Sequence, residues 1–402
     1  MHTLNIVTRI MQCCLPLMHA ARWRALRDTA VSAVNGKALS LAALALGAPR
    51  ATSVRHRVKC VDRLLGNAHL ETHRFDLYAA LARQWLTDLP RLPVVVDWSS
   101  LTADMQWHWL RASVVCDGRS ITLYEEVHPR KHLGSLAVHT RFIQRLARLL
   151  PPCARLPIVM TDAGFHNPWF RLIAAQGWLW VGRVRNRDFV RNNVSEDWFP
   201  AKQLYGQACA VAADLGAFET VRNRPLRCRL VLVKHAPKGR KHRYASGKEQ
   251  KNSTAKKCAS RYREPWLLSC SPGLGHPGAE AIAGLYAQRM RIEEEFRDTK
   301  NSVLGAGLSL SRSQGQQRLQ ALLLIGHIAR MARRLIGEAA KDAQLRMQLM
   351  STGRKDRAEL SVMTLAKRVI DSPTLLRKLK DPWPCRYELR SQALFRLEWK
   401  SA

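Results

Sequence analysis

The spacing of hydrophobic side chains along this chain changes from helical to strand-like and back again, and the changes mark out its parts. Residues 1–72 carry apolar positions at helical spacing among many basic ones. Ser40 is placed to cap a short helix over Ser40–Leu46, which Gly47-Ala48-Pro49 ends. A second helix is predicted from Ser53 to Leu65, closed by Gly66. Val54, Val58, Val61 and Leu65 fall on one side of it, with Arg55, His56, Lys59 and Arg63 roughly opposite. Helix, short turn, then a helix with an apolar back and a basic front is the layout of a helix-turn-helix DNA reader. Arg55, Lys59 and Arg63 are its candidate DNA contacts, although a plain helix pair with a charged outer face has the same pattern.

From residue 91 the texture becomes strand-like. Leu92-Pro93-Val94-Val95-Val96 is an apolar run that stops at Asp97. Gln106–Cys116 and Arg119–Val127 are rich in aromatic and β-branched residues, and Asp117-Gly118 between them is a strong hairpin signal. A helix is predicted over Ser135–Leu150. A second apolar run, Leu156–Thr161, stops at Asp162 in the same grammar as the first. Pro168–Gln176 reads as a helix and Trp178–Val184 as a fifth strand. Strand, hairpin pair, helix, strand, helix, strand is the order of an α/β, ribonuclease-H-like core: a five-stranded mixed sheet flanked by helices. Its central buried strands should be continuous apolar runs, as these are.

Residues 186–265 interrupt that order with strand-like Leu226–Lys234 and a basic loop at 235–264. Between Lys234 and Arg263 stand eleven Lys or Arg and one acid, Glu249. Trp266–Cys270 resumes strand character, Pro277–Lys300 a helix, and Gln316–Ala340 another. Five regions are therefore expected. They are a helical DNA-binding domain (1–72), a first part of the core (73–185), an inserted β-rich subdomain (186–265), a second part of the core (266–345) and a C-terminal helical tail (346–402).

Charge narrows the partners. The 402 residues hold 65 Lys and Arg against 31 Asp and Glu, a formal net charge of +34. Such an excess repels itself in the compact state and calls for a polyanion, nucleic acid first. No 18-residue apolar run suggests a membrane span, and Met1–Leu17 makes no convincing signal peptide. The 10 cysteines include no Cys-x-x-Cys pair, which argues against a zinc ribbon and suits a reducing cytoplasm.

Candidate chemistry lies in Leu285–Lys300. On one helix turning about 100° per residue, Tyr286, Arg289, Glu293 and Lys300 would share an arc of about 60°. Glu294 and Glu295 would point elsewhere. A carboxylate between two cations suits a metal-bound phosphodiester; a solvated face with (i, i+4) ion pairs would look similar. Asp97, Asp162 and Glu293 together form a candidate catalytic and metal-binding triad. Their hard oxygen donors suit Mg²⁺ or Mn²⁺ rather than zinc.

These residues resemble the DDE transposases of the insertion sequence 4 family. The resemblance rests on Val96-Asp97-Trp98-Ser99, Leu110-Arg111-Ala112-Ser113-Val114, Thr161-Asp162-Ala163-Gly164-Phe165 and Glu264-Pro265-Trp266. It rests above all on Tyr286-x2-Arg289-x3-Glu293-x6-Lys300, the family's Tyr-Arg-Glu-Lys signature. It implies two Mg²⁺ ions, replaceable by Mn²⁺, on Asp97, Asp162 and Glu293. It also implies phosphate contacts from Tyr286, Arg289 and Lys300, and a base-flipping platform at Trp266. A relative's wedge Trp is replaced here by Met290. The implied activity is cut-and-paste transposition through a DNA hairpin. Double-stranded DNA, both terminal inverted repeats and target, would be the partner of a dimer in the synaptic complex, in the bacterial cytoplasm near the nucleoid. A ribonuclease-H-like nuclease would need the acids without the hairpin apparatus. A domesticated DNA-binding protein would need neither.

Overall fold

The computed structural model describes residues 3–36, 38–86, 92–116, 119–150, 156–192, 197–236, 252–253, 264–275, 278–302, 305–350 and 360–383. The Asp117-Gly118 turn, most of the basic loop and residues 384–402 of the tail lie outside them. Two compact units divide the chain, the first drawing on residues up to 155 and from 290, the second on 156–289.

In the first unit five helices precede the strands: α1 (Thr3–Met11), α2 (Ala20–Asn35), α3 (Leu41–Leu46), α4 (Val54–Leu65) and α5 (Ala68–Arg83). The cap expected at Ser40 is present, and Ser53 supplies a second. Ser40 accepts the Ala43 N–H at 3.4 Å and Ser53 accepts the His56 N–H at 3.3 Å, satisfying donors that a helix start leaves over. Strands β1 (Leu92–Ser100), β2 (Trp107–Cys116) and β3 (Arg119–Pro129) form an antiparallel meander. β1 does not stop at Asp97 as expected: Asp97 to Ser100 continue the ladder opposite Arg111 to His108. Backbone pairing, which apolar patterning does not report, carries the strand past its last valine. Helix α6 (Leu136–Leu149) follows β3.

The first unit's C-terminal share holds most of its framework. Helix α10 (Gln316–Asp342) is buried at every residue from Leu319 to Ala340 and packs on α1, α2, α4, α5, β3 and α12 (Val362–Ile370). Its charged residues are paired, as burial demands. Arg333 donates to the carbonyls of Ala33 (3.0 Å), Val34 (3.0 Å) and Gly36 (2.6 Å), closing the C-terminus of α2. Gly337 is required where α10 meets α12, since a Cβ there would fall 2.2 Å from the Val362 carbonyl oxygen. Helix α9 (Met290–Lys300) packs on β1, β2 and β3, while α11 (Leu345–Leu349) and α13 (Pro373–Lys378) are short.

In the second unit β4 (Pro157–Thr161) runs parallel to β5 (Leu179–Arg183), with α7 (Asn167–Ala175) between them in sequence. β10 (Trp266–Cys270) is antiparallel to β5, and β9 (Leu226–Val233) to β10. β8 (Ala213–Thr220), β6 (Phe189–Asn192) and β7 (Phe199–Pro200) extend the sheet in that order. Gly182 lets the Phe170 ring lie on β5, where a Cβ would come within 2.2 Å of it. Helix α8 (Ala279–Ala287) packs on β5, β8 and β9. Among the described residues, 186–265 contribute four strands, β6–β9, and the whole chain is a mixed α/β protein.

Candidate active site

The single helical stripe expected over Leu285–Lys300 is not formed. α8 ends at Ala287 and α9 begins at Met290, so Tyr286 and Glu293 lie on different helices. Gln288 and Arg289 donate to the carbonyls three residues back, Leu285 at 3.1 Å and Tyr286 at 3.0 Å. Such bonds tighten the last turn and break the helical phase. No Gly or Pro marks the break; Tyr286 is held by its own packing in the second unit.

In the first unit, alternation along β1 puts Asp97 and Ser99 on one face. Across the ladder Arg111 stands opposite Asp97 and Trp109 opposite Ser99. Helix α9 covers that face. Phe296 meets the Trp109 ring edge-on at 4.8 Å, with the Arg111 guanidinium 5.1 Å from its centre. Lys300 donates to Ser99 Oγ at 2.7 Å. Glu293, seven residues before Lys300, is about 20° from it around the helix. Asp97, Glu293 and Lys300 therefore belong to one layer, between β1 and α9. Burial, then the Arg111 charge, lowers the Lys300 ammonium to about 8.

The neighbouring glutamates have other work. Glu294 pairs with Arg119 at 2.9 Å and Glu295 with Arg330 at 2.8 Å. Both fix α9 from sides other than the one carrying Glu293. Beneath the layer runs a buried network that the sequence reading left without a role. Arg111 and Glu125 are fully buried side chains 2.7 Å apart, on facing positions of β2 and β3. Glu125 also accepts from Tyr78 Oη at 2.7 Å and Trp109 Nε1 at 2.8 Å. Burial pushes its carboxyl up, but Arg111, Arg330, His327 and the Tyr78 hydroxyl outweigh that and hold it below the usual range. The signal was available: Arg111 and Glu125 are charges in the middle of long strands rich in aromatic and β-branched residues, where a buried charge is paired as a rule.

In the second unit Asp162 follows β4 directly, and its Oδ1 accepts the Gly164 N–H at 2.7 Å. A side chain at 164 would crowd that oxygen, with a Cβ 2.8 Å from it. Trp266, Tyr286 and Arg289 come together. The Trp266 ring meets Tyr286 edge-on at 5.1 Å and His235 at 4.5 Å. The Arg289 guanidinium lies 5.9 Å from the Tyr286 ring. Met290 opens α9 in the first unit.

The candidate DNA reader keeps Arg55, Lys59 and Arg63 exposed on α4, with Val61, Leu64 and Leu65 buried behind them. Val54, expected on the apolar back, is instead 48% exposed, because it opens the helix where no partner covers it. Among the described residues no three His, Cys, Asp or Glu side chains converge closely enough to hold a metal ion. No helix there is long and apolar enough to cross a membrane.

Comparison with known proteins gives the layer a family. No curated protein matches the chain. A cryo-EM structure of the piggyBac transposase synaptic complex with hairpin DNA is similar at a TM-score of 0.41 and 10% identity, over 94% of this chain and 77% of that one. The profile of the transposase DDE domain matches residues 89–331, from the start of β1 into α10. That stretch is more than half of the chain and includes Asp97, Asp162 and Glu293, so the protein belongs to the DDE transposase family.

Proposed function

We propose that this chain is the transposase of a cut-and-paste insertion sequence, in the insertion sequence 4 branch and nearest the transposase of transposon ten. Family membership supports DNA cleavage and joining. The Tyr286-x2-Arg289-x3-Glu293-x6-Lys300 spacing supports the branch. The observation that carries most weight is the Lys300–Ser99 hydrogen bond, which sets α9 against β1 two residues past Asp97.

In the proposed reaction water attacks a phosphodiester at the element's end and leaves a 3′-hydroxyl. That hydroxyl attacks the opposite strand to close a hairpin, a second water reopens it, and the freed 3′-hydroxyls attack target DNA. In each step one P–O bond forms, one breaks, and the nucleophile loses its proton. Lys300 and Arg289, with Tyr286, would grip non-bridging phosphate oxygens and keep attacking and leaving oxygens in line. Closing a hairpin takes a base out of the stack at a cost of a few kcal/mol. Stacking on Trp266 would return about 1–3 kcal/mol, and Met290 supplies an apolar wedge. Arg55, Lys59 and Arg63 would bind the terminal inverted repeats in a dimer that joins two ends.

DDE transposases generally use divalent metal ions, and the carboxylates of Asp97, Asp162 and Glu293 are the hard donors that fit Mg²⁺, or Mn²⁺ in its place. Two such ions would neutralise charge on the attacking and leaving oxygens.

The test is a plasmid carrying the DNA that flanks this coding region, incubated with purified protein and Mg²⁺ or Mn²⁺. Asp97→Asn, Asp162→Asn and Glu293→Gln should each retain a gel shift on the ends yet yield no nick, hairpin or joined product. Wild-type cleavage by any one of them removes that residue from the site. Nicks alone from the wild type would indicate a simple nuclease, and binding without cleavage a domesticated DNA-binding protein.

A further inference from the structure

The β8–β9 hairpin ends in Val221-Arg222-Asn223-Arg224-Pro225, with Arg227 just inside β9. Arg222, Arg224 and Arg227 are exposed, Arg227 keeping 79% of its side-chain accessibility. Long basic side chains on a surface turn are ordinarily loose, but this turn is held from several sides. Arg171 on α7 donates to the carbonyls of Arg224 at 2.8 Å and Pro225 at 2.5 Å. The Arg222 guanidinium lies 3.8 Å from the centre of the Phe189 ring and donates to the Trp198 carbonyl at 3.5 Å. Arg191 stacks on Trp198 at 5.0 Å. Val221 and Arg224 adopt φ of 65° and 60°, a left-handed conformation that strains any residue but glycine and a β-branched one most.

Acids do not balance this cluster. Glu219 pairs with Arg191 at 2.6 Å and reaches Arg227 at 3.8 Å, and Asp197 adjoins Trp198. Among the described residues, two carboxylates, Glu219 and Asp197, stand beside five arginines, and Glu219 pairs with Arg191 and Arg227. A guanidinium already lying on an aromatic ring has surrendered its rotamer freedom, while its N–H edge still matches a phosphate.

The turn is also anchored in a telling place. Asn167, at the start of α7, exchanges hydrogen bonds with Thr220 at 2.9 and 3.3 Å, and Arg171 follows one helical turn later. α7 is the next element after the Asp162 turn.

We propose that the β8–β9 turn clamps the phosphate backbone of duplex DNA beside the bond being cut, without regard to sequence. Arg222, Arg224 and Arg227 make the contacts; Phe189 and the Trp198 carbonyl hold the Arg222 guanidinium, and Arg171 fixes the backbone of the turn. The location of that DNA rests on the transposase assignment of Asp162.

The experiment uses the full chain and fluorescent duplexes of the element end, with and without about 20 flanking base pairs, titrated across a salt series. Arg222→Gln/Arg224→Gln/Arg227→Gln should bind the flanked duplex roughly tenfold more weakly, with a salt slope shallower by about 2 to 3. On the unflanked duplex it should match the wild type. Arg224→Gly removes one charge and the backbone strain together. It should melt no earlier than the wild type while its slope falls by about one. An unchanged slope in both variants overturns the clamp, and an equal loss on both duplexes overturns its placement on the flank. These binding curves are read without catalysis, so a wild-type protein that never cleaves would refute the transposase function and leave the clamp to stand or fall by its slopes.

Discussion

Replacing Arg111 with methionine separates the buried network from the chemistry above it. The guanidinium is fully buried, 2.7 Å from Glu125 and 3.9 Å from the Trp109 ring centre. Its loss strands a carboxylate in the interior of the first unit. Removing one partner of a buried pair costs about 3–5 kcal/mol. Glu125 would keep the Tyr78 hydroxyl at 2.7 Å, the Trp109 N–H at 2.8 Å and Arg330 at 3.7 Å, which points to the lower end, about 3 kcal/mol. At about 2–4 °C per kcal/mol for a unit of this size, the melting transition should fall by about 6–12 °C. Adding Glu125→Gln removes the stranded charge and should recover most of that loss. Calorimetric or circular-dichroism melts of the wild type, both single variants and the double variant complete a thermodynamic cycle. A loss below about 1 kcal/mol for Arg111→Met, or no coupling across the cycle, would refute the view that this pair anchors the layer bearing Asp97.

Lys300 gives a pH test. Its ammonium, lowered to about 8 by burial and then by Arg111, is fully charged below that value and neutral above it. Wild-type affinity for end DNA should therefore fall as pH rises through about 8, while Lys300→Arg stays flat; parallel curves would exclude Lys300 as the phosphate contact. Trp266→Ala should nick at a near-normal rate and form hairpins poorly, and equal loss of both steps on strand-resolved gels would mean a purely structural Trp. Neutralising Arg55, Lys59 and Arg63 together should weaken end binding and flatten its salt dependence by about 3. An unchanged slope would move the DNA reader elsewhere.

Much of the fold was legible because its elements obey local rules. Ser40 and Ser53 cap where hydroxyls should, and the valines of β1 and the Ile158–Met160 run of β4 are the continuous apolar stretches that buried strands require. Asp97 and Asp162 stand out in the sequence because they end those apolar runs. What escaped detection depended on contacts distant in sequence. Nothing local signals that the helix breaks at Gln288: no Gly or Pro stands there, and the break shows only in the i−3 bonds of Gln288 and Arg289. Arg111 and Glu125 were visible as misplaced charges, but their pairing needed the β2–β3 register, which a bulge shifts between Ala112 and Ser113.

Arg333 reaches the carbonyl of Val34 across 299 positions of sequence. At about 5–20 residues per second, a ribosome needs roughly 15–60 seconds to deliver that guanidinium after the carbonyl emerges. Until then the last turn of α2 has no lid, and the buried flanks of the first helices have no α10 to lie against. Helices α1, α2, α4 and α5, though synthesised before α10, therefore complete their packing only once α10 has emerged.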